Sequence, residues 1–151
     1  MVLLQSIANF ILDMWLWNMT WGWYQVSLAF IFMWIFIVFM GRMKSGQALL
    51  LILSSYVVSF AVYSFFVIGV LIYWLQWEWA ADSIAAYIPV NVLVASFYLG
   101  AIYTALQTLF FVMIKEKYCI VFPMIFFVTI ASNSLGALLA TYFIYALEVT
   151  P

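Results

Sequence analysis

The spacing of the charged residues constrains this chain more than any other feature of its sequence. Only nine of the 151 side chains are charged, four basic and five acidic. They leave four charge-free runs, at residues 14–41, 45–77, 83–114 and 118–147. Each run is longer than the ~20 apolar residues that a bilayer-spanning helix needs. Because only 6% of the residues are charged, against ~25% in soluble domains, a free-standing soluble protein is excluded.

The four runs predict an all-α integral membrane protein with a single domain, residues 1–151. The expected transmembrane helices lie at about 23–40, 47–74, 88–114 and 119–147. A shorter helix at about 2–18 precedes them, with Gln5, Ser6, Asn9 and Asp13 on one side. This pattern is typical of an amphipathic helix in the membrane interface. It is open whether that helix is a surface anchor or a docking arm for a neighbouring subunit.

The basic residues predict the orientation of the chain. All four lie in the two segments that join span one to span two and span three to span four, namely Arg42, Lys44, Lys115 and Lys117. The positive-inside rule places these charges on the cytoplasmic side, or the matrix side in an organelle, and both termini outside. The residues expected to anchor the outer interface are Asp13, Trp15, Trp17, Trp21, Trp23, Trp74, Trp77 and Trp79.

The composition argues against chemistry carried by the chain's own residues. There is no histidine, which removes the commonest general base and the usual metal and haem ligand. The single cysteine, Cys119, can form no internal disulfide. Neither a glycine-rich phosphate loop nor a basic run that would bind nucleic acid is present. We therefore predict no catalytic, cofactor-binding or metal-binding residues, with bound lipid or quinone as the only ligands to expect.

Uncharged polar residues and glycines recur inside the spans at helical spacing. The candidates for helix packing, or for a polar path, are Ser59, Ser96, Gly100, Tyr103, Gln107, Thr129, Asn133 and Gly136. On span three they follow steps of four, three and four residues. On span four Thr129, Asn133, Gly136 and Ala140 repeat these steps, so each set lies on one face. Small residues let helices approach closely in lipid, and amides and hydroxyls bond between them. Since no carboxylate or lysine lies in the middle of a span, a proton-coupled carrier is disfavoured.

One stretch of span three resembles a known family. It reads Tyr98-Leu99-Gly100-Ala101-Ile102, followed by Leu109-Phe110-Phe111-Val112-Met113. This resembles the third span of the subunit-6 family, the J subunit in bacteria, of proton-pumping NADH dehydrogenase. The resemblance implies a core membrane subunit of a respiratory complex, with Tyr98 and Gly100 beside a helix distortion that rearranges during turnover. The chain departs from the family in having four spans instead of five.

These observations support two functional hypotheses from different classes. The first is a non-catalytic structural or accessory subunit of a larger integral membrane complex, respiratory if the resemblance holds. The alternative is a small homo-oligomeric transporter or channel with a passive path between spans three and four. The expected partners are the lipid bilayer and either other membrane subunits or copies of the chain itself. The expected location is a bacterial inner membrane or an organelle inner membrane.

Overall fold

The computed structural model describes residues 2–19, 22–41, 43–74, 92–118 and 120–149. Every element in these ranges is helical, and no strand occurs among them. The helices are α1 (Val2–Met19), α2 (Gly22–Gly41), α3 (Ser45–Ser64), α4 (Val92–Tyr118) and α5 (Phe122–Val149). A π-helix at Phe65–Trp74 continues α3. The chain is therefore all-helical wherever the structure describes it.

Four of the helical segments are long and apolar enough to cross a membrane. They are Gly22–Met40, Ser45–Val70, Leu93–Tyr118 and Pro123–Ala146. The prediction of an all-helical chain with four membrane-spanning lengths of helix is therefore confirmed, one for each charge-free run of the sequence. The predicted start of span three at residues 88–91 lies outside the described residues. Pro123 lies in the first turn of α5, where the missing N–H of proline is not needed by the helix.

The second half of span two differs from the single regular helix that the sequence predicts. At Phe65 the i→i+4 pattern of α3 changes to a π-helix that continues to Trp74. This segment is rich in aromatic and β-branched residues and contains Gly69, all of which have lower helix propensity than alanine or leucine. By contrast, α4, which contains Tyr98 and Gly100, is α-helical from Val92 to Tyr118.

Helix α1 packs against α2, α4 and the π-helix. The hydroxyl of Tyr63 donates to the Ile11 carbonyl at 3.0 Å, and Trp15 Nε1 donates to Ser64 Oγ at 3.2 Å. Leu12 and Met14 of α1 are almost fully buried. Because Tyr63 and Ser64 end α3, α1 lies at one end of the bundle, which we call the far end. Residues 43–44, 118 and 120–121 lie at the opposite end, which we call the basic end.

The closest helix contact joins α5 to α2. A Cβ atom built on Gly136 would lie 2.8 Å from Ala29 Cβ, 2.9 Å from Ala29 N and 2.9 Å from the Gln25 carbonyl oxygen. The backbones of the two helices therefore touch, which only glycine permits at this position. On α2, Gln25, Ala29, Met33 and Ile37 recur every four residues, and all are buried. Span one therefore presents a core-facing stripe, although its sequence is bulky and apolar on every side.

Candidate functional site

A pair of amide side chains joins α4 to α5 near the middle of both helices. Asn133 Nδ2 donates to Gln107 Oε1 at 2.9 Å and also to the Thr129 carbonyl at 2.9 Å. Gln107 has no exposed surface and Asn133 is 3% exposed. The polar positions of each helix are three or four residues apart, so they share one face of the helix, and this face is buried. The pair is therefore a dry, directional link between the two spans.

Threonine hydroxyls extend this link one turn towards the basic end. Thr108 Oγ1 lies 3.1 Å from Thr129 Oγ1, and Thr104 Oγ1 donates to the Thr129 carbonyl at 3.5 Å. Thr129 Oγ1 itself donates to the Ile125 carbonyl at 2.9 Å, so Thr108 is the donor in the pair of hydroxyls. Interhelical bonds of this kind contribute about 0.6–2 kcal/mol each in membranes.

Two polar residues outside the predicted set complete the core towards the far end. Gln25 of α2 donates from Nε2 to the Ser96 carbonyl at 2.6 Å. Asn18 of α1 accepts from the Tyr103 hydroxyl at 3.3 Å. Both are buried. Gln25 could have been predicted from the sequence, since it is the single amide side chain in span one. Asn18 could not, because the periodicity of residues 2–18 does not show where that helix packs.

Glycine lets the amides come together. A Cβ atom on Gly100 would lie 3.3 Å from Gln25 Nε2 and 3.4 Å from the Asn133 carbonyl oxygen. The distance to Gln25 Nε2 is tighter than an ordinary van der Waals contact, and the distance to the Asn133 oxygen is at the lower limit of one. Gly100 thus holds α4 close to both α2 and α5, at the point where the polar side chains of the three helices meet.

Several buried polar atoms of this core have no hydrogen-bond partner within the described part of the chain. They include Asn18 Nδ2, Gln25 Oε1, Ser59 Oγ, Ser96 Oγ and Ser132 Oγ. An unpaired buried group costs about 1–3 kcal/mol, so a buried water that bonds to several of these atoms would stabilise the core.

The predicted polar residues are all buried, but they lie at several different helix interfaces. Gly100, Gln107, Thr129 and Asn133 meet at the interface of α4 and α5. Tyr103 instead donates to α1, and Gly136 contacts α2. The Ser96 carbonyl accepts from α2, while Ser59 makes no hydrogen bond to any of the others.

The polar core does not continue to the basic end. Beyond Thr108 and Thr129, the interior residues are Phe111, Ile125 and Val128, each 2% exposed. Met33 and Ile37 of α2 pack in the same cluster. The interior of the described bundle is therefore polar in its middle and far parts and apolar towards the basic end. No group of metal-ligating residues occurs among the described residues.

The predicted tryptophan anchors differ in their surroundings. Trp17 is 4% exposed and lies inside the protein, whereas Trp15 is half-buried and donates to Ser64. Trp23 is 53% exposed. The positions of Trp21, Trp77 and Trp79, and the side chains of Asp13 and Trp74, lie outside the described residues. So does Arg42.

Two grooves on the outside of the bundle are lined by residues of the predicted polar set. The larger, about 560 Å³, lies between α4 and α5, and its polar and small lining residues include Gly100, Ala101, Thr104, Ala105, Thr108, Asn133 and Ser134. The other, about 430 Å³, lies between α2 and α3 and is lined by Trp23, Phe30, Tyr56, Phe60 and Tyr103 among others. Tyr98 lines neither groove. Asn133 thus belongs both to the buried amide pair and to the wall of the larger groove.

Comparison with known proteins gives no relative: no family model, no curated protein and no solved structure matches this chain.

Proposed function

We propose that this chain is a non-catalytic structural or accessory subunit of a larger integral membrane complex. The observation that carries the proposal is the groove between α4 and α5. Ala101 and Ala105 are exposed there, and Thr104, Thr108 and Ser134 are half-buried. Small and hydroxyl-bearing residues facing outward are what close helix–helix contact in lipid requires.

The dimensions of the groove suit a transmembrane helix of a partner. It runs at least from Phe97 to Leu109, about 18 Å at the α-helical rise. That is more than half of the ~30 Å hydrocarbon core. Phe97 and Leu109 are 42% and 63% exposed and supply an apolar wall at each end. A helix seated between them would contact three turns of α4.

The finer topology belongs to the same proposal. The basic end faces the cytoplasm or the matrix of an organelle, both termini lie on the other side, and α1 lies in the outer interface. The membrane is a bacterial inner membrane or an organelle inner membrane. The sequence resemblance to subunit 6 makes a respiratory complex the assembly to examine first.

Groove variants with a matched control test this assignment. The full chain carrying a tag is purified in mild detergent, and we expect other membrane subunits to accompany it in a fixed ratio. Ala105→Leu, which fills the groove, should release them. Ala61→Leu, at an exposed position on α3, should retain them. A crosslinker placed at Thr104 should capture a transmembrane segment of one of those subunits. A chain that purifies as a monomer, or that behaves alike in both variants, would refute the proposal.

The alternative function is a homo-oligomeric channel or transporter with a passive path between spans three and four. The unpaired polar atoms of the core favour it, because a path lined by neutral donors and acceptors would satisfy them with water. The apolar residues Phe111 and Ile125 would have to move aside, or copies of the chain would have to line the rest of the path. A discrete homo-oligomer that conducts solute in liposomes supports this function, and an impermeable one excludes it.

A further inference from the structure

A third cavity lies at the basic end, apart from the polar core. It has a volume of about 230 Å³, and its lining comes from α2, α4, α5 and the two connecting segments. The floor is formed by Ile37, Phe111, Ile125 and Val128, none more than 4% exposed. Met40 and Val121 at its rim are 50% and 64% exposed. The cavity is thus an apolar cleft that reaches from the surface into the core.

Two exposed lysines adjoin residues that line this cleft, and one of them, Lys117, also lines a neighbouring groove of about 270 Å³ between α3 and α4. Met43 lines it directly before Lys44, and Tyr118 lines it directly after Lys117. Both lysines are exposed, and Lys117 Nζ lies 5.7 Å from the centroid of the Tyr118 ring. Residues 42–44 and 115–117 hold all four basic residues and only one acidic residue, Glu116, a formal charge of +3.

The lining of the cleft bears on its occupant. Met40, Met43 and Met124 line the walls, and methionine side chains adapt readily to a flexible apolar group such as an acyl chain. An apolar cleft with exposed lysines beside its mouth matches a lipid with an anionic headgroup.

We infer that this cleft binds an anionic phospholipid, with one acyl chain between α2, α4 and α5 and the phosphate beside Lys44 and Lys117. Van der Waals packing of the acyl chain against the walls of the cleft supplies the apolar part of the affinity. The two lysines supply the headgroup preference, because basic residues at this side of a membrane attract anionic lipid. The inference does not depend on the proposed function, since a lone chain would carry the same site.

Native mass spectrometry of the delipidated full chain with added phospholipid tests the site. We expect phosphatidylglycerol to be retained over phosphatidylcholine with the same acyl chains. Lys44→Gln and Lys117→Gln should each weaken phosphatidylglycerol binding about fivefold, while Lys117→Arg should bind it as the unaltered chain does. Equal retention of the two lipids by the unaltered chain would overturn the inference.

A second pair of variants separates a lipid in the cleft from lipid attracted only to the charged surface. Val121→Trp closes the exposed rim without disturbing the buried floor, and it should abolish the preference for phosphatidylglycerol. Val57→Trp, at a position on α3 that is 58% exposed, should leave the preference intact. If Val121→Trp binds phosphatidylglycerol as the unaltered chain does, the acyl chain does not occupy the cleft and the inference is wrong.

Discussion

Replacing Gly136 by alanine should destabilise the protein, although alanine favours a helix more than glycine does. In an open helical position the exchange gains about 1 kcal/mol of helix propensity. At Gly136 the new Cβ would lie 2.8–2.9 Å from three atoms of α2, two of them backbone atoms that cannot rotate away. Carbon atoms pack at about 3.5–4.0 Å. Helix α5 would therefore have to move away from α2 by nearly 1 Å.

The magnitude follows from that displacement. Overpacking of a well-packed core costs about 1–3 kcal/mol, and a gap of 0.5–1 Å forfeits about a quarter to a half of the dispersion energy along the interface. The loss outweighs the propensity gain, so we expect Gly136→Ala to lower the unfolding free energy by about 1–2 kcal/mol. Leucine at the same position should cost more, because its side chain cannot fit between the two backbones.

Gly46 provides the matched control. It lies in the first turn of α3, and a Cβ atom there meets nothing within 4 Å. Gly46→Ala should therefore be neutral or stabilising by up to about 1 kcal/mol. Thermal unfolding in detergent, followed by circular dichroism, should separate the two variants by several degrees. If Gly136→Ala melts at or above the temperature of Gly46→Ala, α2 and α5 are not in backbone contact and the packing described here is incorrect.

Three further predictions concern hydrogen bonds between helices. Asn133→Leu should destabilise the bundle by about 1–3 kcal/mol because it leaves the Gln107 oxygen unpaired, and adding Gln107→Leu should recover part of the loss in a double-mutant cycle of thermal stabilities. Thr108→Val should lower the unfolding free energy by about 0.6–2 kcal/mol, measured by the same unfolding assay. Tyr63→Phe removes a bond to the backbone of α1 and should speed amide hydrogen exchange in that helix, whereas Tyr73→Phe, 83% exposed, should not.

The four spans were predictable because lipid imposes a simple rule on a chain. A helix that crosses the hydrocarbon core needs a minimum length without charges, and nine charged residues leave room for four such lengths only. Burial of residues such as Ser96 and Gln107 was predictable from their spacing, since positions three and four apart share a helix face. Both inferences use one helix at a time.

Contacts between helices were not predictable in the same way. The spacing of Gly136 and its neighbours defines a face of α5, yet it does not say which helix that face meets, and the structure pairs it with α2 at Gln25 and Ala29. The buried face of span one was not predicted either, because the residues on the other sides of that helix are equally apolar. The π-helix at Phe65–Trp74 was missed for a related reason: α- and π-helices present similarly apolar surfaces to lipid, so hydropathy does not distinguish them.

The distribution of polarity in the interior bears on both functional hypotheses. A chain that conducts by itself needs polar groups along its full length, but here the polar atoms end near Thr108 and Thr129, and Phe111 and Val128 follow. Buried atoms such as Gln25 Oε1 and Ser96 Oγ have no exposed surface, so a buried water can bond to them but a partner helix in the groove cannot reach them. The wall of the groove differs, because Thr104, Thr108 and Asn133 lie where a helix of another chain would contact them. The apolar basic end and this polar groove wall together favour a subunit over a self-sufficient channel.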